Sequence, residues 1–222
     1  SSCRETPFES LNCAIGGFFG GELIIIGARP GMGKTAMVHA FLRHTAIQEG
    51  RPVIYFGAEM SREIIYARLL SAMCKIPCND LKRGRIKGKQ IEDLMAAHKI
   101  IDMAPISEYI IKDKINAISL ISQIRKFADN IKEDIGLVII ENLQQITWPG
   151  RNFKFRKDEA DVILDNLRSF GLEMKIPNVI SCQINRNTGD REDKRPQLSD
   201  LKDTGQIEEI ADKILLLHRP NY

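Results

Sequence analysis

An excess of charge of either sign is nearly lacking in this chain: 32 Lys and Arg stand against 29 Asp and Glu, a formal balance of +3. So small an excess gives no general attraction to polyanions, and any contact with nucleic acid must come from local basic segments. Long hydrophobic runs are also missing. No stretch approaches the ~20 apolar residues that cross a bilayer, and the opening Ser-Ser-Cys-Arg-Glu-Thr lacks the apolar centre of a signal peptide. A cytoplasmic protein with no membrane segment is the expectation. Cysteine is sparse, with five residues at 3, 13, 74, 78 and 182. Cys74 and Cys78 have no second pair at zinc-ligand spacing. Even with His98 as a possible recruit, free thiols in a reducing compartment are the simpler reading. There is no Pro/Gly/Ser-rich linker, internal repeat or low-complexity tract. With 43% apolar residues, the 222-residue chain reads as one α/β domain with a sizeable core.

What is present is an alternation of strand and helix patterns, the mark of a mostly parallel sheet with helices on both faces. Buried strands are expected at Leu23–Ile26, Pro52–Phe56, Leu137–Ile140, Val179–Cys182 and Ile214–Leu217, with a shorter one near Ser107–Ile111. Helices are expected at about 34–48, from the N-cap Ser61 to Met73, at 91–101, 115–131 and 158–174. The stretch 149–157 reads as a loop, and 79–90 as a basic, Gly-punctuated turn.

The strongest local signal is Ala28-Arg-Pro-Gly-Met-Gly-Lys-Thr35, set between a strand and a helix, the context a phosphate-binding P-loop requires. Backbone N–H groups of such a loop wrap a phosphate, and the helix N-terminus adds partial positive charge. Arg29, Pro30, Gly31, Met32, Gly33, Lys34, Thr35 and Ala36 are therefore expected to hold ATP. Lys34 reaches the outer phosphates, and the Thr35 hydroxyl ligates Mg²⁺. The pattern departs from strict form at Ala28, where Gly is usual.

Hydrolysis also needs a carboxylate for water and another for the magnesium shell. Glu59 follows the second strand on the rim shared with the P-loop and is the expected base; a solvated carboxylate at a helix start is the competing reading. The strand Leu137–Ile140 runs into Glu141, a Walker B arrangement with Glu where Asp is usual, and Glu141 is expected to join Thr35 at the metal. Gln183, at the end of a further strand, carries a neutral amide able to sense the terminal phosphate.

Together these segments resemble the C-terminal motor domain of DnaB-type replicative helicases. The variant Ala-Arg-Pro-x-Met-Gly-Lys-Thr is characteristic of that group. Glu59-Met60-Ser61 is similar to its Leu-Glu-Met segment, whose Glu is the base. Leu-Lys-Arg-Gly-Arg-Ile before Glu92 resembles its basic turn. Residues 142–146 resemble the Tyr-Leu-Gln-Leu-Ile after the Walker B Asp, Cys182–Arg186 its Ser-Gln-Leu-Asn-Arg, and Lys194–Asp212 its most distinctive run. Glu141 and Asn142 depart from the usual Asp and Tyr.

The resemblance implies a RecA-like P-loop NTPase fold and a motor that couples ATP hydrolysis to translocation on single-stranded DNA and duplex unwinding. It further implies DNA phosphates held by the segment of Lys202, Asp203 and Gly205, self-association into a hexameric ring, and a primase and a helicase loader as partners of the full-length protein. The chain ends at Tyr222, before the family's arginine-finger element, and begins after its N-terminal domain. A shortened, weakly active motor domain is therefore expected. The basic, aromatic stretch 148–157 is a second DNA candidate, with a solvated loop as its alternative. Two other functions stay open: a recombination ATPase of the RecA/RadA or KaiC kind, and a nucleotide-binding assembly or loading factor with weak hydrolysis.

Overall fold

The unbroken apolar runs form the centre of the molecule because their residues point alternately into two separate cores. A computed structural model describes residues 3–57, 60–111, 113–131, 133–184, 195–201 and 206–220. In chain order the elements are α1 (Glu9–Ile15), β1 (Leu23–Ala28), α2 (Lys34–Arg43), β2 (Val53–Gly57), α3 (Arg62–Cys74), α4 (Cys78–Lys82) and α5 (Lys89–Met103). Next come β3 (Ile106–Ile110), β4 (Ile115–Asn116), α6 (Ala117–Asn130), β5 (Leu137–Ile140), β6 (Ile146–Thr147), α7 (Arg156–Met174), β7 (Asn178–Gln183), α8 (Ile207–Ile210) and β8 (Lys213–Leu217).

The main sheet has the order β3-β2-β5-β7-β1-β8, and all its pairings are parallel. Period-two alternation divides its side chains. Leu23, Ile25, Ile54, Phe56, Val138, Ile140, Ile180 and Cys182 pack with α6, α7 and α8. Ile24, Ile26, Val53, Tyr55, Leu137, Ile139 and Val179 pack with α2, α3 and part of α5. A sheet covered on both faces accounts for strands that read as continuous apolar runs rather than alternating ones.

Because the strands are parallel, their C-terminal ends share one rim, where a doubly wound sheet presents its ligand crevice. β1, β5 and β7 bring the P-loop, Glu141 and Gln183 to that rim. The registers Ala28↔Gln183 and Phe56↔Ile140 fix their relative heights. Among the described residues, no helix is long and apolar enough to cross a membrane.

The elements expected from the sequence are observed to within a few residues, with two refinements, and α1, β4, β6 and α8 come in addition to them. The helix expected to run to Gln48 is α-helical only to Arg43 and closes with a π-helical turn over His44–Gln48. The basic stretch after residue 78 opens with the short helix α4 before its exposed Gly-punctuated turn.

Candidate nucleotide site

Between β1 and α2 the chain makes a turn that leaves backbone donors uncommitted. Gly33 caps α2 with φ 97°, a conformation Cβ-bearing residues rarely adopt. A Cβ added there would meet nothing within 4 Å, so backbone conformation rather than space calls for glycine. The first N–H groups of α2 have no intrahelical acceptor and face a cleft, as anion binding at a helix start requires.

That cleft, about 380 Å³, is lined by Ala28, Arg29, Pro30, Gly31, Gly33, Lys34, Thr35, Ala36, Arg68 and Gln183. The structure thus brings together seven of the eight residues expected to hold nucleotide, and Gln183 with them. Met32 does not line the cleft; its N–H closes the turn onto the Arg29 carbonyl at 3.3 Å.

Glu141 sits one residue past β5 and is fully buried. The Thr35 hydroxyl donates to its Oε1 at 2.6 Å, linking the P-loop to the strand end. The Tyr55 hydroxyl donates to its Oε2. Behind Tyr55 lies His39 of α2, also buried, with Nε2 at 3.4 Å from the Tyr55 oxygen. Burial lowers the His39 pKa to about 4; the Glu141 charge opposes this shift and Arg68 adds to it. Burial, followed by the neighbouring Glu141 carboxylate, pushes the Tyr55 hydroxyl pKa far upward. His39 and Tyr55 are thus neutral at ordinary pH.

Asn142 has a left-handed backbone, φ 78°, which Asn tolerates better than most residues. Its N–H donates to the Ser181 hydroxyl at 2.8 Å, and its side-chain oxygen accepts from the Gln144 N–H at 3.3 Å. The departure from Tyr at this position therefore has a local role in turning the chain away from Glu141.

Three residues that sequence reasoning passed over belong to the site: Arg68, Tyr55 and His39. Arg68 lies on α3 next to the buried Leu69, and no ion pair ties it down among the described residues. It lines both the phosphate cleft and a second cleft bounded by His39, Arg43 and Ser71. Its signal was a cation one position from a buried helix face, where a solvated residue is the ordinary expectation.

The expected base Glu59 and the expected DNA contacts Lys202, Asp203 and Gly205 lie outside the described residues. Their flanks are placed. Leu201 is buried and paired to Ile184. The Gln206 N–H donates to Asp161 at 3.2 Å, and Ile207 is buried. In the second DNA candidate, Arg156 is committed internally: it donates to the carbonyls of Leu143 (3.2 Å) and Ile146 (2.7 Å) and pairs with Glu159 at 2.5 Å. Arg151 and Lys154 lie over the rings of Phe153 and Phe155. All five cysteines are free, and no cluster of three or more His, Cys, Asp or Glu occurs among the described residues.

The profile of the DnaB-like helicase C terminal domain matches residues 4–222. Curated relatives include a replicative DNA helicase DnaB of Leifsonia xyli, 35% identical over 216 residues, covering 96% of this chain and 46% of the relative. The replicative DNA helicase DnaB of Helicobacter pylori is 35% identical over 214 residues, covering 96% and 43%. A probable plasmid replicative DNA helicase of Chlamydia psittaci is 35% identical over 205 residues, covering 91% and 43%. The chain thus spans less than half the length of these relatives.

Among solved structures, an ATPase domain superposes with TM-score 0.91 at 25% identity, covering all of this chain and 78% of that one. A DnaB-like replicative helicase, described with its interactions with primase, superposes with TM-score 0.88 at 24% identity, covering 100% and 52%.

Proposed function

The chain belongs to the DnaB-like helicase C-terminal domain family, and from that premise we propose that it is the ATP-hydrolysing motor of a replicative DNA helicase. One observation carries the reading. The P-loop hydroxyl of Thr35, at the start of α2, and the buried carboxylate of Glu141, just past β5, meet at 2.6 Å beside the phosphate cleft.

That pair suits Mg²⁺, a hard cation held in nucleotide sites by few protein oxygens together with substrate phosphates. Thr35 would be the direct ligand, and Glu141 would orient it by accepting its hydroxyl hydrogen bond while adding negative charge. Mg²⁺ supplies neutralisation of charge on the outer phosphate oxygens. The Lys34 ammonium and the free N–H groups of α2 bind and orient the same phosphates. Glu59, two positions after β2 in sequence, is the residue proposed to take the proton of the attacking water. Gln183, lining the cleft at the end of β7, reads the presence of the terminal phosphate and passes the change to the segments beyond Ile184.

Single-stranded DNA is the track, gripped through its phosphates by the segment of Lys202, Asp203 and Gly205. Each subunit offers few such contacts, so grip depends on assembly into a hexameric ring. A primase and a helicase loader are partners of the longer protein, which works in the cytoplasm. Family membership favours this reading over a recombination ATPase.

The test is the ATPase rate against protein concentration, with and without single-stranded DNA, using Lys34→Ala as the blank. A rate rising faster than linearly and stimulated by DNA supports a motor with shared sites. A rate strictly proportional to protein and indifferent to DNA overturns it in favour of a nucleotide-binding factor. Glu59→Gln should abolish turnover and leave ATP binding intact.

A further inference from the structure

The buried contact set around Glu141 extends beyond the P-loop. Its two carboxylate oxygens are satisfied from opposite sides, Oε1 by the Thr35 hydroxyl and Oε2 by the Tyr55 hydroxyl. Water does not reach this carboxylate, which is 0% exposed, so the protein must satisfy these oxygens. With its O–H donated to Glu141, Tyr55 has only lone pairs left to offer, so the His39 tautomer that fits carries its proton on Nε2, 3.4 Å from the Tyr55 oxygen. The His39 ring stands edge-on to the Tyr55 ring, with centroids 5.8 Å apart. His39 therefore orients the phenol so that its proton points at the carboxylate.

The strand geometry makes room for this reach. Tyr55 pairs with Ile139 across β2 and β5, so Glu141 lies two positions further along on the same face. Tyr55 must lean over Gly57 to meet it. A Cβ at Gly57 would stand 2.6 Å from Tyr55 Cε1 and 3.0 Å from its hydroxyl, so this glycine clears the path of the ring.

We propose that Tyr55, oriented by His39, is a positioning residue that fixes the rotamer of the longer Walker B side chain, Glu141, so that its other oxygen stays on Thr35 where Mg²⁺ is bound. The inference rests on the nucleotide reading of the cleft given above. A carboxylate held at one oxygen only can swing about its terminal bond. Held at both, it presents Oε1 to Thr35 in one orientation. Partners that hold a metal-site carboxylate from behind typically change metal affinity by ~10–100-fold when removed.

The experiment is a Mg²⁺ titration of the binding of a fluorescent, slowly hydrolysed ATP analogue to the whole chain, with a matched series in EDTA. Tyr55→Phe should raise the half-saturating Mg²⁺ by about ten-fold and leave affinity in EDTA unchanged. His39→Leu, which keeps the Tyr55 hydroxyl, should raise it in the same direction by about three-fold. It serves as the second probe if Tyr55→Phe folds poorly. In a Glu141→Asp background, whose shorter carboxylate does not reach Tyr55, the Tyr55→Phe shift should fall to less than about two-fold. A Tyr55→Phe shift of equal size in both backgrounds overturns the proposal, as does an unshifted Mg²⁺ requirement in Tyr55→Phe. If the wild-type chain gains no affinity from Mg²⁺, the nucleotide reading falls and the positioning role falls with it.

Discussion

Replacing His39 with Leu should remove an acid sensitivity built into the core. His39 is 6% exposed, and its Nδ1 is buried without a hydrogen-bond partner, so a second ring proton finds no acceptor. Burial chiefly lowers its pKa to about 4 from the 6.5 of a free side chain. Between those values the unfolded chain takes up a proton that the folded chain refuses. Folding therefore loses stability as pH falls through this window, and above about pH 6.5 the group contributes nothing. At about 1.4 kcal/mol per pKa unit, the loss is about 2 kcal/mol by pH 5 and about 3 kcal/mol by pH 4.

Leu fills a similar volume and does not titrate. The difference between wild type and His39→Leu, rather than either curve alone, isolates this group from the carboxylates that also titrate in acid. The assay is urea unfolding followed by fluorescence of Trp148, the single tryptophan, which packs against the core. Moving from about pH 7.5 to about pH 5, the stability of His39→Leu relative to wild type should rise by about 2 kcal/mol. Parallel curves, with a gap constant to about 0.5 kcal/mol, would refute the burial argument.

Arg68→Ala should weaken ATP binding by about ten-fold or more, the loss of one charge-assisted phosphate contact, with an unchanged circular dichroism spectrum; equal affinity would remove Arg68 from the site. Arg156→Met should cost about 2 kcal/mol through the carbonyls of Leu143 and Ile146 and the Glu159 carboxylate left without their donor. It should also speed proteolysis within 149–155, which limited trypsin digestion would show. Asn142→Ala should cost about 1–2 kcal/mol, since alanine resists φ 78° and cannot accept from the Gln144 N–H; urea midpoints measure it.

β1, β2, β5, β7 and β8 are legible because a sheet covered on both faces demands continuous apolar runs, and the sequence has them at each place. The P-loop is legible because its spacing is a local property. α1 is not: its seven residues bury none of their number, so no apolar stripe announces it. β4 and β6 are two residues each, too short for any alternation to appear. The polar trio behind the phosphate cleft is hidden for a different reason. His39 and Tyr55 are 16 positions apart, and Tyr55 and Glu141 86 apart, on three elements. In sequence Glu141 stands out, but His39 and Tyr55 are unremarkable helix and strand residues, and only the fold makes them its neighbours. Asn142 reads as a departure from the family pattern until its backbone conformation is known.

Just past β7, Ile184 pairs antiparallel with Leu201 beside an otherwise parallel sheet. Both side chains also lie against Gly27 in the strand that feeds the P-loop, where an added Cβ would come within 2.6 Å of Leu201 and 3.4 Å of Ile184. Ile184 and Leu201 are therefore two footings on one foundation. A shift at the phosphate end of β1 or β7 reaches the two footings in step and leaves no slack at one end to absorb it. Lys202 is the next residue in sequence after the second footing, so the sequence proposed to grip DNA begins one residue beyond a side chain that rests on the P-loop strand.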